Sequence, residues 1–246
     1  MTAATRRAFL TAEWRYLVMV NYDVDPAILH ALVPRHTDLD LWNGRAIASV
    51  VGFRFLRTRL LGIPIPLHRN FEEVNLRFYV RHTMRDGEVR RGVVFVRELV
   101  PRLAIALTAR LAYNEPYLAV RMRSTAPATP VESPGHVKYE WRTGQRWQEV
   151  AATAAGEATV PPLDSEEAFI TEHYWGYTRQ RDGGTVEYEV RHPRWRVWGV
   201  TDASFAADVP HLYGSSFARV LAGQPASAFI AEGSEVTVYR PRLLDG

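Results

Sequence analysis

Cysteine is absent from this chain of 246 residues, and lysine occurs only once, as Lys138. The first absence removes disulfides, thiolate nucleophiles and sulfur-ligated metal. The second leaves a single amine for imine chemistry. No apolar run approaches the roughly 18 residues of a membrane span, and the opening MTAATRRAFLTAEWR lacks an apolar signal core. No membrane partner is therefore expected, and a cytoplasmic location is. GxGxxG, the P-loop pattern and GxSxG are all missing, so nucleotide-cofactor and serine-hydrolase chemistries lack parts and no cofactor is expected. The histidines are dispersed without HxH or HExxH spacing, which argues against a metal site. Net charge is +3, and the arginines are scattered rather than gathered in a basic patch, so nucleic acid is not an expected partner.

What remains is a globular composition, 47% hydrophobic and 23% charged, punctuated by turn dipeptides. Trp14 to Tyr22 is a mixed aromatic and aliphatic run with strand character. Asn43-Gly44, Asp86-Gly87 and Asp182-Gly183-Gly184 each separate two strand-like runs, which predicts three antiparallel hairpins. Helices look few: Asp25-Pro26 caps AILHALV, Pro101 opens RLAIALTARLAY, Ser165 caps AFITEHY, and a last one covers Tyr213 to Leu221. The proline-rich Ser124 to Pro134 reads as a surface loop within one domain spanning 1–246. The expected fold class is mainly β with few helices, an antiparallel sheet curled into a barrel or sandwich so that its edges close.

One strand is anomalous. In FEEVNLRFYV, alternate positions Val74, Leu76, Phe78 and Val80 are apolar, while the others carry Glu73, Asn75, Arg77 and Tyr79. A sheet wet on one side gives this pattern, and so does a strand whose polar side lines a pocket. Glu73 and Arg77 lie about 13 Å apart along an extended strand, too far to neutralise each other directly. The next strand, GVVFVRELV, is apolar on both faces yet interrupted by Arg97 and Glu98. Two readings stand side by side: an ion-pair lattice of these four charges that fixes register, or a ligand pocket.

The runs GIPIPLHRNFEEVNLRFYV, RRGVVFVRELVPR, YNEPY, EHYWGYT and SEVTVYRPR resemble the bacterial family of domain of unknown function 2071 over almost the whole chain. That family is distantly similar to the acetoacetate decarboxylase superfamily. The resemblance implies a curved antiparallel sheet closed into a cone-shaped barrel around a small-molecule pocket. It places Arg15 where a pocket arginine sits, puts Glu72 or Glu73 near a pocket glutamate, and sets Glu115 and Tyr117 on the pocket border. The superfamily's lysine pair falls on Asn114 to Ala119, where no lysine occurs. Lys138, twenty or so residues later, reads as a surface residue.

The candidates follow. Glu73, with Glu72 or Glu98, would act as general base or acid; Arg15 and Arg77 would grip a carboxylate or phosphate; Asn75, Tyr79 and His68 would orient the ligand, with Glu115 and Tyr117 beside them. The expected partner is a small, carboxylate-like molecule, turned over by acid–base chemistry of lyase or hydratase type without a lysine imine. A non-catalytic ligand-binding or sensing module is the alternative.

Overall fold

The computed structural model describes residues 7–64, 69–101 and 116–244. Among these, a single sheet is built from β1 (Ala8–Val24), β2 (Asp38–Leu39), β3 (Ala46–Leu60), β4 (Ile63–Pro64), β5 (Phe71–Thr83), β6 (Val89–Pro101) and β7 (Tyr117–Ser124). It continues through β8 (His136–Thr143), β9 (Arg146–Thr159), β10 (Trp175–Arg179), β11 (Thr185–Arg191), β12 (Val197–Ala206), β13 (Ser227–Tyr239) and β14 (Arg242–Leu243). Among the described residues four short helices decorate it: α1 (Pro26–His30), α2 (Glu166–Thr171), α3 (Val209–Tyr213) and α4 (Ser215–Leu221). Among the described residues no helix is long and apolar enough to cross a membrane.

The sheet closes on itself twice. Its neighbours run β6-β7-β8-β9-β12-β13-β1-β3-β5, and β5 pairs back onto β6, which completes one ring. The β10–β11 hairpin makes a second connection, with β10 on β6 and β11 on β13. The strands β13-β1-β3-β5-β6 thus form a wall shared by two rings, and both of its faces are covered. A strand covered on both faces carries near-continuous apolar sequence, as β1 and β3 do. On the face toward β8 and β9, Val50, Val74, Leu76 and Phe78 pack with Tyr139, Trp141 and Val150. On the face toward β10 and β11, Leu17, Met19, Val51 and Phe53 pack with Tyr79, Phe169 and Ile170. Each such side chain contributes about 1.5–3 kcal/mol on leaving water.

Bulges change which face a residue meets. Tyr16 has φ +54°, and the β1–β3 register slips between Arg15 and Val18. The opposing Gly233 has φ +77°, and a Cβ there would lie 1.9 Å from the Trp14 carbonyl oxygen, so only glycine fits. Across this kink Trp14 and Leu17 share the β10–β11 side, while Tyr16 turns to the other core. A second slip, between Leu76 and Arg77 of β5, leaves Val96 of β6 unpaired, while Arg97 and Glu98 face opposite sides by ordinary strand alternation.

Several sequence expectations hold. Asp25 caps α1 by accepting from the Ala27 N–H, and Ser165 caps α2 by accepting from Ala168. The hairpins around Asp86-Gly87 and Asp182-Gly183-Gly184 form as β5–β6 and β10–β11. The proline-rich loop lies on the barrel: the Tyr16 hydroxyl donates to the Thr129 carbonyl and accepts from Val131 N–H.

Others are corrected. Asn43 and Gly44 form the predicted turn with φ +48° and +81°, but it closes a single bridge, Trp42 to Arg45. The preceding residues pair instead with β5, where β2 takes over the edge that β3 leaves beyond Phe78. Pro101 is the last residue of β6, paired with Val120. The helix expected over Tyr213 to Leu221 is two, broken at Gly214, whose φ is +91°. The sheet is antiparallel except for two short parallel contacts, β6–β7 and β6–β10. The second needs Gly92, where a Cβ would stand 2.6 Å from the Trp175 carbonyl oxygen. His68, Glu115 and RLAIALTARLAY lie outside the described residues.

Candidate functional site

The smaller ring is not filled. Between the wall and the β10–β11 hairpin lies a cavity of about 100 Å³, room for several waters at about 10–15 Å³ each or for one small organic acid. Its walls are mostly apolar and aromatic: Trp14 and Leu17 of β1, Phe53 and Phe55 of β3, Trp175 of β10 and Tyr188 of β11 among them. Its polar groups come chiefly from one strand. Glu73, Asn75 and Arg77 of β5 line it together with Glu98 of β6, Tyr117 of β7 and His173 just before β10. The alternation of FEEVNLRFYV is therefore a pocket lining, and none of the three β5 side chains faces bulk water.

Glu73 is 4% exposed. Burial pushes its pKa up to about 7; a hydrogen bond from Asn75 Nδ2 at 3.0 Å and the Arg77 charge work in the opposite sense without cancelling the effect. Asn75 stands opposite Glu98 in the β5–β6 register, so Glu98 shares the same face. Glu98 in turn sits beside Tyr117 in the parallel β6–β7 contact. Arg77 reaches toward the Ile170 carbonyl at 3.5 Å, and its guanidinium lies 5.7 Å from the Tyr79 ring centroid. Among the described residues neither Arg77 nor Glu73 has an ion-pair partner within 4 Å, so both charges remain available to a ligand. The lattice reading fails further at Arg97, which leaves this face to donate to the Leu212 carbonyl at 3.1 Å.

Three predicted residues fall elsewhere. Arg15 precedes the Tyr16 bulge and is directed away from the cavity, donating to the Gly233 carbonyl at 3.1 Å and pairing with Glu13 at 3.3 Å. The expected two-arginine grip therefore reduces to Arg77. Glu72 is on the opposite face of β5, where Ser124 donates to it at 2.9 Å. Tyr79 is on the cavity side of the wall but behind the lining. Its hydroxyl donates to Ser49 at 2.7 Å, because the Ser49 proton is already committed to Asn21 Oδ1 at 2.6 Å.

Sequence reasoning passed over one pair. His173 is buried against the rings of Tyr79 (4.7 Å) and Phe169 (5.1 Å), with Nε2 3.1 Å from Asp40 Oδ2. Arg91 Nε donates to the same carboxylate oxygen at 2.6 Å. These two hydrogen bonds outweigh the burial of Asp40 and hold its pKa below the ordinary value. Burial pulls His173 down to about 4 in spite of Asp40, so the imidazole is neutral at pH 7. Nothing in the spacing links Asp40 to His173; a capped helix that buries Phe169 and Ile170 just before His173 is the one local hint. Trp14, Tyr188 and Tyr239 were likewise invisible as lining, since each reads as an ordinary strand aromatic. Among the described residues no three histidine, aspartate or glutamate side chains cluster as a metal site.

The only lysine is remote from this chemistry. Lys138 sits on β8, 3.5 Å from both Glu140 and Glu149.

The geometry agrees with what the chain resembles. Residues 11–235 match the family DUF2071, described as an uncharacterized conserved protein. The protein YqjF of Bacillus subtilis (strain 168) is 30% identical over 187 residues, 74% of this chain and 72% of its own. Among solved structures, the enduracididine biosynthesis enzyme MppR complexed with pyruvate superposes with a TM-score of 0.65 at 15% identity, covering 99% of this chain and 93% of that one. Acetoacetate decarboxylase from Legionella pneumophila gives 0.65 at 12% identity, over 100% and 92%. An acetoacetate decarboxylase-like enzyme from Sphingomonas wittichii RW1 gives 0.65 at 15%, over 99% and 96%. At these identities the likeness is one of fold. This chain is a member of the DUF2071 family, built on the acetoacetate decarboxylase-like fold.

Proposed function

We propose that this protein binds a small organic carboxylate in the cavity of its smaller ring and moves a proton on it with Glu73, without forming an imine. The observation that carries this reading is Glu73 itself: a buried carboxyl held at about 7, in a mostly apolar cavity that also contains a buried arginine. A group half ionised at neutral pH both takes and returns a proton, which is what general acid–base catalysis requires. Arg77 supplies the fixed positive charge that would hold the ligand's carboxylate, and a guanidinium suits that geometry. Asn75 steadies Glu73 through its amide. Glu98, across the register from Asn75, and Tyr117 beside it would handle a second proton. The aromatic walls lower the local dielectric and strengthen every charge interaction inside. That the similarly folded MppR takes pyruvate supports a small oxygenated acid as the ligand class. Lys138, on β8 between two carboxylates, offers no imine there, so proton transfer of lyase or hydratase type fits better than imine-based decarboxylation.

The test starts with a panel of small carboxylic acids screened by thermal shift. A ligand at a hundred times its Kd adds about 2.7 kcal/mol of stability. That gain is expected to vanish in Arg77→Gln with the fold intact by circular dichroism. The bound acid is next incubated in deuterium oxide and followed by NMR: exchange at carbon beside the carboxylate is expected in the parent protein and lost in Glu73→Gln. Binding that survives in Arg77→Gln would refute the grip, and exchange that survives in Glu73→Gln would refute the base.

A further inference from the structure

The cavity contains more polar character than a simple oxo acid would use. Among the lining residues other than Glu98, four side-chain atoms are buried without a hydrogen-bond partner among the described residues: Trp14 Nε1, Arg77 Nε, Asn75 Oδ1 and His173 Nδ1. The first two are donors. The other two are acceptors, and each is assigned that role by its neighbour. Asn75 gives its amide N–H to Glu73, which leaves the carbonyl oxygen over. The Asp40 carboxylate can only accept, so it fixes the proton of neutral His173 on Nε2 and leaves a lone pair on Nδ1. Buried polar atoms left unsatisfied are costly, so the complementary ligand is one that answers both donors and at least one of the acceptors.

A carboxylate alone, or a carboxylate with a ketone, has only acceptors to offer. It could answer Trp14 and Arg77 but would set oxygen lone pairs against Asn75 Oδ1 and His173 Nδ1. An ammonium group would donate, but beside the enclosed Arg77 it meets a like charge. We infer that the site is built for a hydroxycarboxylate, whose carboxylate answers the Arg77 and Trp14 donors while its hydroxyl donates to His173 Nδ1 or Asn75 Oδ1. His173, oriented by Asp40, is then a specificity-determining residue of the same site. This rests on the carboxylate-binding reading above and narrows it to a substrate class.

The experiment compares matched acids by titration calorimetry: lactate with pyruvate and propionate, and 3-hydroxybutyrate with acetoacetate and butyrate. In at least one set the hydroxy acid is expected to bind tenfold or more tightly than both counterparts. Asp40→Asn supplies a readout that a merely structural role would not move. An amide at that position can accept from or donate to Nε2, which releases the tautomer, so the preference is expected to shrink or reverse toward the oxo acid. Nitrogen-15 NMR of the unmutated protein covers the case in which that variant does not fold. The His173 Nδ1 resonance is expected in the unprotonated range and is expected to shift with the hydroxy acid but not with the deoxy acid. Equal affinities across each set, or an Nδ1 that carries the proton in the free protein, would overturn the inference while leaving carboxylate binding intact. If none of the acids binds, the carboxylate reading itself falls, and this with it.

Discussion

The two faces of β5 lie a residue apart in sequence and differ in almost every physical respect. Val74, Leu76 and Phe78 project into the larger ring, which β7, β8, β9 and β12 complete and side chains fill. Glu73, Asn75 and Arg77 project into the smaller ring, which the β10–β11 hairpin spans and which keeps a cavity of about 100 Å³. The first face is a packing solution. The second holds a carboxyl, an amide and a guanidinium out of water without mutual neutralisation, an arrangement that costs stability and persists because the other face supplies it. The larger ring makes the fold, and the smaller one is free to hold chemistry.

The comparison is tested most severely by deleting bulk from the filled side. Leu76→Ala removes a fully buried side chain, and a loss of about 2–5 kcal/mol is expected from lost burial and the void left behind. Denaturant unfolding with unchanged m-value would read it. A loss well under 1 kcal/mol would mean that this ring is as loosely filled as the other.

Next comes Glu73→Gln. The folded protein holds this carboxyl at about 7 against an ordinary 4.5, so as pH rises between these values the unfolded chain ionises first and the folded state loses stability. The amide has no such loss. Relative to the parent protein, the variant should gain with rising pH across that window, to on the order of 3 kcal/mol by pH 8. His173 works in the opposite direction. It is held at about 4 against an ordinary 6.5, so the parent loses stability as pH falls through that range. The parent's pH profile is thus partly flattened by two opposing groups, and the variant's should slope visibly upward with pH. Parallel profiles for the two proteins would show that Glu73 is not held in a raised state.

A smaller effect is expected behind the cavity. Ser49→Ala breaks the buried chain from Tyr79 through Ser49 to Asn21. The stranded hydroxyl and amide should cost about 1–3 kcal/mol. Ligand binding should weaken only in so far as the Tyr79 ring, which packs on His173, moves.

Which of these features could be read in the chain follows from how local each one is. The turns at Asp86-Gly87 and Asp182-Gly183-Gly184, the caps at Asp25 and Ser165, and the alternation of β5 are written in neighbouring residues, and the folded chain has them. What the sequence did not disclose depends on register. Arg15 looked equivalent to Arg77 until the bulge at Tyr16 and Gly233 turned it away. Glu72 and Glu73 were interchangeable on the resemblance alone, whereas strand geometry puts them on opposite faces. Asp40 and His173 are separated by most of the chain and meet only because β2 takes the edge of β5 beyond Phe78. No periodicity encodes such a meeting.

The smallest expected effect is at Lys138, and it is the control for all the rest. Its ammonium bridges Glu140 and Glu149 at 3.5 Å on the outer part of β8, a partly exposed arrangement with typical worth of about 0–1 kcal/mol. Lys138→Met should therefore shift stability by less than that and leave carboxylate affinity and deuterium exchange unchanged. Borohydride added with an oxo acid should give no covalent adduct in parent or variant. An adduct that appears in the parent and disappears in Lys138→Met would move the reactive group from β5 to β8, and the distinction between the two faces of the wall would lose its functional meaning.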